Sequence, residues 1–332
     1  MSAYASAFKD ARPAVALIGA GAMGRALALR LNDRGYPVLG VVSRTRAKAE
    51  ALAQAVGAPV ASDRLLDLPP EARLVFLCVG DGAIADVAES LTGVRHAWRE
   101  TVVVHCSGAL PAAALEPLVQ EGAAALSFHP LQAISPDADA RALDGAYVGL
   151  EGDPKAVAAG IELAVGLGLR YLVLTPEAKP RYHLAATLAS NFLVTLLGMV
   201  QEVLVSLDID RADGFALIEP LLRGTLDNLA HLPPEEALTG PVVRGDLETL
   251  RRHGLALRQH LPQLVPAYAA LTVESVRLAV RSGRLDPAHA EDVLSLMQRL
   301  VTTPLPTRNR GRAPQAEPSG PRPAQPRGSE PV

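Results

Sequence analysis

Ala14-Val15-Ala16-Leu17-Ile18-Gly19-Ala20-Gly21-Ala22-Met23-Gly24 is a short apolar run that discharges into Gly-x-Gly-x-x-Gly, with a helical pattern following from Arg25 to Leu31. The stretch reads as the strand, tight turn and helix of a dinucleotide-binding unit. Gly19 permits the turn, Gly21 lets the backbone approach a pyrophosphate, and Gly24 lets the helix pack closely on the strand. The free N–H groups at the helix start, on Ala22, Met23 and Gly24, and the positive end of the helix dipole are then placed to receive the phosphates. A glycine triplet alone is a weak signal. Its context makes it specific: a strand before it, a helix after it, and a second strand from Val38 to Val42 at the spacing such a unit requires.

The end of that second strand bears on which cofactor is expected. An NAD site places Asp or Glu there for the ribose 2'-hydroxyl. This chain has Ser43-Arg44-Thr45-Arg46, with no carboxylate until Glu50. A hydroxyl and guanidinium groups suit a 2'-phosphate, which arginine pairs bidentately. NADP is therefore expected, with Ser43, Arg44 and Thr45 as its contacts. The plainer alternative makes Arg44, Arg46 and Lys48 the solvated start of the next helix.

At 332 residues and 49% hydrophobic, the chain is long enough for two domains with a sizeable core, and 4% aromatic content makes that core mostly Ala, Leu and Val. A net charge of -3 points to neither nucleic acid nor an anionic membrane. The two cysteines, Cys78 and Cys106, end apolar strand-like runs and read as free, buried thiols of a reducing compartment; no zinc-ligand spacing occurs. Residues Met1 to Pro13 carry no secretory pattern, and Phe192 to Val200 falls far short of the ~20 apolar residues that span a bilayer, so a cytoplasmic protein is expected.

Strand-like runs recur at Ala14 to Ile18, Val38 to Val42, Leu74 to Val79 and Thr101 to Cys106, and a further pair is expected around Ala124 to Phe128 and Ala146 to Leu150. Short buried strands alternating with helices predict a parallel, doubly wound sheet. Beyond Lys179 the pattern changes to long amphipathic helices: Pro180 to Leu207, Ala212 to Leu232 with Pro220 inside, Leu247 to His260, Pro266 to Ser282 and Pro287 to Val301. Asp246 and Asp286 read as N-caps, the second followed by proline at the first helical position. The expected fold is α/β, an N-terminal Rossmann-type parallel sheet with a C-terminal all-α domain. The expected boundaries are 13–175 for the cofactor domain, 176–302 for a helical substrate and dimerisation domain, and 303–332 for a Pro/Arg-rich disordered tail.

Loops leaving the carboxyl ends of the strands are expected to hold the site. Val79-Gly80-Asp81-Gly82 brings backbone near a nicotinamide ribose, with Asp81 either accepting bonds from the following helix or serving as a plain N-cap. His105-Cys106-Ser107-Gly108 projects the Ser107 hydroxyl toward the nicotinamide. Ser127-Phe128-His129-Pro130-Leu131-Gln132 supplies His129, the first choice of acid or base, although a lone histidine is often a hydrogen-bonded interior group. His183, Thr187 and Asn191 recur at i, i+4, i+8 on one helix face beside Ser190. Arg244, in the loop Thr239 to Asp246, either clamps a substrate carboxylate or pairs with Asp246.

Together, Gly19 to Gly24, His105-Cys106-Ser107-Gly108-Ala109-Leu110, Ser127 to Gln132, Tyr182-His183 through Ser190-Asn191, and Leu238-Thr239-Gly240-Pro241 through Arg244-Gly245-Asp246 resemble the Rossmann-like proteins carrying domain of unknown function 2520, over roughly Pro13 to Val301. That family resembles a branch of the group containing 6-phosphogluconate and β-hydroxyacid dehydrogenases, pyrroline-5-carboxylate reductase, ketopantoate reductase and prephenate dehydrogenase. The resemblance implies an NADP-binding domain followed by a helical domain often used for dimerisation. Ser107 and His129-Pro130 resemble the serine and the catalytic histidine of the prephenate dehydrogenases. The Lys-x-x-x-Asn pair of the β-hydroxyacid dehydrogenases is matched on the helix face only by His183, Thr187 and Asn191, with no lysine. The expected activity is an NADP-dependent oxidoreductase acting on the C=O or C=N carbon of a small carboxylate metabolite, as a homodimer, with His129, Ser107, Asn191, His183 and Arg244 at the catalytic site. A deazaflavin-linked NADP reductase and a non-enzymatic NADP-binding redox sensor or scaffold are the alternatives.

Overall fold

A computed structural model describes residues 12–303, so the expectations for the amino-terminal residues and for the tail beyond Thr303 lie outside the described residues. The chain divides into two compact units between Thr195 and Leu196, which keeps the first turns of the long apolar helical stretch with the sheet.

The first unit is built on an eight-stranded sheet of order β3-β2-β1-β4-β5-β6-β7-β8. Its strands are β1 (Val15–Ile18), β2 (Val38–Val42), β3 (Val60–Ser62), β4 (Leu74–Leu77), β5 (Val102–His105), β6 (Ala124–Leu131), β7 (Tyr147–Gly152) and β8 (Arg170–Val173). All neighbours are parallel except β6 and β7, which run antiparallel with His129 opposite Gly149. The wholly parallel sheet expected from the sequence is corrected at that one pair. Only an irregular segment with a single short turn joins β6 to β7, and a parallel return would need a crossover helix.

Alternation along each strand feeds two cores. Val15, Leu17, Phe76 and Val104 face one side, packed against helices α1 (Ala22–Asp33), α2 (Arg46–Val56) and residues of β6, including Phe128. Ala16, Ile18, Val75, Leu77 and Val103 face the other, against α3 (Ile84–Thr92) and the α4 region (Glu116–Gln120). Helix α5 (Pro154–Gly166) returns to the first side, capped by Asp153, whose carboxylate accepts from the Lys155 and Ala156 N–H groups. Strand order reverses between β1 and β4, and the crevice at their carboxyl ends is where ligands of open α/β sheets bind.

Helix α6 (Lys179–Ala189) breaks at Ser190 before α7 (Asn191–Val205), where one continuous helix was expected. Pro176–Val205 is nonetheless a helical run of 30 residues with mean hydropathy 1.7, long and apolar enough by length and composition to cross a membrane. The reading of Phe192 to Val200 as far too short is corrected, because the helix extends that stretch at both ends.

The second unit continues with α8 (Arg211–His231), which runs unbroken through Pro220, then α9 (Pro234–Ala237), α10 (Leu247–His260), α11 (Val265–Arg281) and α12 (Pro287–Thr302). Its core joins Leu250, Ala269, Val276, Ala279, Val293 and Met297 from the last three helices. Asp246 and Asp286 cap α10 and α12 by accepting from backbone N–H groups of the first turn.

Candidate active site

The glycine turn has a distinct physical demand at each position. Gly19 adopts φ +107°, and a Cβ there would lie 2.2 Å from the Cys78 carbonyl oxygen. A Cβ at Gly24 would lie 2.2 Å from the Gly19 carbonyl oxygen and 3.1 Å from Cys78 Cβ. Both glycines are therefore required by the protein's own packing. Gly21 differs: a Cβ there meets nothing within 4 Å. It is the N-cap of α1, no side chain caps the helix, and the first turn carries no acidic residue. An open, uncapped helix start beneath a glycine turn fits a dinucleotide pyrophosphate.

At the end of β2, Arg44 and Thr45 are exposed and Ser43 is half-buried. Arg46 is engaged by Glu50 at 2.9 Å, whereas Arg44 makes no ion pair among the described residues. The cysteines beneath the crevice are free and half-buried, not fully buried as expected, with their sulfurs 3.8 Å apart.

Beyond β4, Gly80 and Asp81 are exposed. Asp81 does not cap the following helix; its carboxylate accepts the Ser107 hydroxyl at 2.8 Å. The same Ser107 oxygen accepts from the Ala109 and Leu110 N–H groups at 3.2 and 3.0 Å, so the hydroxyl is fully used within the protein. Ser107 thus pins the β5 loop to the β4 loop, in place of the free hydroxyl expected. Just before it, His105 is completely buried. Its Nδ1 accepts the Ser107 N–H and its Nε2 donates to the Pro111 carbonyl, which fixes a neutral ring. Burial, reinforced by Lys179, lowers its pKa to about 4.

His129 lies inside β6, not in a loop after it, because pairing with β7 carries the strand on to Leu131. Its Nδ1 is 3.0 Å from the Tyr182 hydroxyl, with the two rings edge to face at 5.5 Å. Room for that phenol comes from Gly149, directly across the sheet, where a Cβ would lie 2.9 Å from the Tyr182 oxygen. His183 stands edge-on at 6.1 Å, and Gly108 admits both imidazoles: a Cβ there would lie 2.7 Å from His183 and 2.9 Å from His129 Nε2. No protein group bonds Nε2 among the described residues. Burial first, then Lys179, holds the His129 pKa down to about 4, so the ring is neutral at neutral pH. Burial pushes the Tyr182 phenol up to about 12.

Of the expected helix face, His183 and Thr187 are half-buried on α6, while Asn191 is exposed at the start of α7. Arg244 belongs to the second unit, in the turn before α10; it forms no ion pair with Asp246, whose carboxylate is taken by Thr249.

Lys179 and Glu151 lie outside the motifs, and Ser127 and Tyr182 lie inside them with no role assigned. Lys179 is the most informative. Helix α6 begins at Lys179, one residue before the proline taken as its start, so Lys179, His183 and Thr187 share the i, i+4 register, while Asn191 lies beyond the break at Ser190. This face does carry a lysine, contrary to the expectation that it has none. The Lys-x-x-x-Asn pattern is met in its lysine, and His183 stands where the asparagine would.

A cavity of about 390 Å³ opens beside Arg12, Tyr36, Leu74 and Glu162. It lies at the amino-terminal ends of the strands, away from the crevice.

These features define a Rossmann-type fold whose glycine turn opens at the switch point of the sheet. Comparison with known proteins is specific about the family. Residues 2–130 match the Rossmann-like domain and residues 146–275 match the domain of unknown function DUF2520. The chain is a Rossmann-like protein with a DUF2520 domain. No curated protein matches the sequence. Among solved structures it is similar to BF3122 of Bacteroides fragilis, provisionally described as an NADP oxidoreductase, at 26% identity and TM-score 0.67 over 80% of this chain and 98% of that one. It is similar to TM1727 of Thermotoga maritima at 27% identity and TM-score 0.61, over 82% and 100% of the two chains. The reductive aminase of Aspergillus terreus, solved with NADPH and ethyl-5-oxohexanoate, shares the fold at 17% identity and TM-score 0.51, over 87% and 94%.

Proposed function

We propose that the protein is an NADP-dependent oxidoreductase that moves hydride between NADP(H) and the C=O or C=N carbon of a small carboxylate metabolite. One observation carries the reading. A neutral His129, backed by Tyr182, leaves Nε2 without a partner among the described residues, on the same sheet that ends its first strand in an open glycine turn. The Bacteroides fragilis relative supports the cofactor class, and Arg44, which has no ion pair among the described residues, favours a 2'-phosphate.

NADP(H), when bound, supplies or accepts the hydride. The protein's part is the proton. In reduction, Nε2–H donates to the product oxygen or nitrogen, Nδ1 takes the Tyr182 proton, and the half-buried phenol, whose pKa is pushed up to about 12, is reprotonated from solvent, so ring and phenol both end neutral. In oxidation the proton runs back along the same path. Such transfer contributes typically ~10²- to 10⁴-fold. Ser107 and Asp81 hold the loops that frame the crevice. The test is NADPH oxidation against a panel of 2-keto acids and cyclic imines, including ketopantoate and pyrroline-5-carboxylate. A substrate whose turnover falls ~10²-fold or more in His129→Ala supports the reading. NADPH binding with no turnover on any member would favour the sensor.

A homodimer is part of this proposal. Leu184, Leu188, Phe192 and Val194 on α6 and α7 are each more than half exposed in the single chain, an apolar run that a second copy would cover. A solution mass of two chains, reduced to one by Val194→Glu, is expected; a monomeric wild type, or partition into vesicles, would contradict it.

A further inference from the structure

Lys179 is a charged side chain wholly shut off from solvent, at the first position of α6. Its Nζ donates to Ser127 Oγ at 2.5 Å and to the Ser107 carbonyl at 3.2 Å, and Ser127 Oγ itself donates to that carbonyl at 3.3 Å. No carboxylate lies within ion-pairing distance among the described residues. Two act from further away: Asp81, and Glu151, which is itself buried and accepts the Ala112 N–H at 2.6 Å. An ammonium placed against neutral acceptors costs stability that a methionine of similar length would not. Packing therefore gives no reason for a cation here.

We propose that Lys179 is a positioning residue that serves the reaction through Ser107, Ser127 and His129 without touching substrate. Its catalytic meaning rests on the oxidoreductase reading; its physical action does not. Ser127 and His129 are two apart on β6 and so point to the same face of the sheet. Gripping Ser127 and the Ser107 carbonyl together fixes the strand that carries His129 against the loop that carries Gly108.

The charge acts as well. The charged or titratable groups around His129 are Lys179, His183 and Tyr182 on α6, Asp81 after β4 and His105 on β5. After burial, Lys179 opposes ring protonation most, followed by His183; Asp81 favours it and His105 opposes it weakly. Lys179 thus helps keep the imidazole neutral, the form that relays the Tyr182 proton.

The experiment is an NMR titration of histidine-labelled full-length protein, wild type and Lys179→Met, with Lys179→Arg as the conservative control. His129 in Lys179→Met is expected to titrate about one pH unit higher, while Lys179→Arg stays at the wild-type position. NADPH affinity is expected to change less than about twofold in both, which separates this test from that of cofactor binding. An unshifted His129 in a folded Lys179→Met would overturn the proposal. Should the neutral variant not fold, the Lys179 Cε shift of the wild type decides: an ammonium at pH 7 is expected, and a neutral amine overturns the proposal.

Discussion

Gly108→Ala probes the site with a single carbon. The glycine lies between the His129 and His183 rings, and its added Cβ would sit 2.7 Å from His183 Cδ2 and 2.9 Å from His129 Cε1 and Nε2. Carbon and ring atoms pack at about 3.5 to 4.0 Å, so one or both rings must retreat by roughly 0.7 Å or more. His129 has little freedom to do so, because Tyr182 bonds its Nδ1 at 3.0 Å and the ring stands on a paired strand. Overpacking of this kind costs about 1 to 3 kcal/mol of stability. Displacing a proton-transfer group by close to 1 Å costs on the order of 10²-fold in kcat. The assay pairs thermal denaturation with NADPH affinity and steady-state turnover on whichever panel substrate reacts. The expected pattern is a modest fall in Tm, near-normal NADPH binding and a kcat lowered about a hundredfold. Full turnover in Gly108→Ala, with both histidine resonances unmoved, would refute the assignment of these rings to the reacting centre.

His105 and His129 both have folded pKa values lowered to about 4, below the ordinary 6.5, so the unfolded chain binds protons that the native state refuses. Their contribution is fully present above pH 6.5 and is lost as pH falls toward 4, on the order of 3 kcal/mol per imidazole; urea denaturation across pH 4 to 7 should show stability falling with acid, and a flat profile would contradict it. Gly19→Ala places a side chain at φ +107° and against the Cys78 carbonyl, and is expected to lower stability by about 2 kcal/mol or more and to abolish cofactor binding, as read by calorimetry. Ser107→Ala removes the hydrogen bond that the Asp81 carboxylate accepts, and should raise KM and lower kcat together while leaving the fold intact by circular dichroism.

The sequence made the first half of the fold legible because each apolar run there ends in glycine or a polar turn, with a helical period between. Strand β3 was not readable: Val60–Ser62 is too short for any alternation to register. The course of β6 through His129 and Pro130 was hidden because proline argues against a strand interior, and only pairing with β7 carries the strand on. His129, His183 and Ser107 could be nominated from their motifs, although the full use of the Ser107 hydroxyl by Asp81 and two backbone N–H groups is a tertiary fact. Lys179 was within reach. Extending the helix by one residue places it in the same register as His183, but a proline at the next position reads as a helix start. Tyr182 and Gly149 lie far apart in the chain and acquire their relation to His129 only through the sheet.

The most direct test of the account is the binding of NADPH and NADH, by titration calorimetry, to the wild type and to Arg44→Ala. NADPH is expected to bind the wild type more tightly than NADH, and Arg44→Ala to lose ~1.5 to 3 kcal/mol for NADPH alone. Failure of the wild type to bind either nucleotide would contradict the assignment of the Gly19 to Gly24 turn as a dinucleotide site.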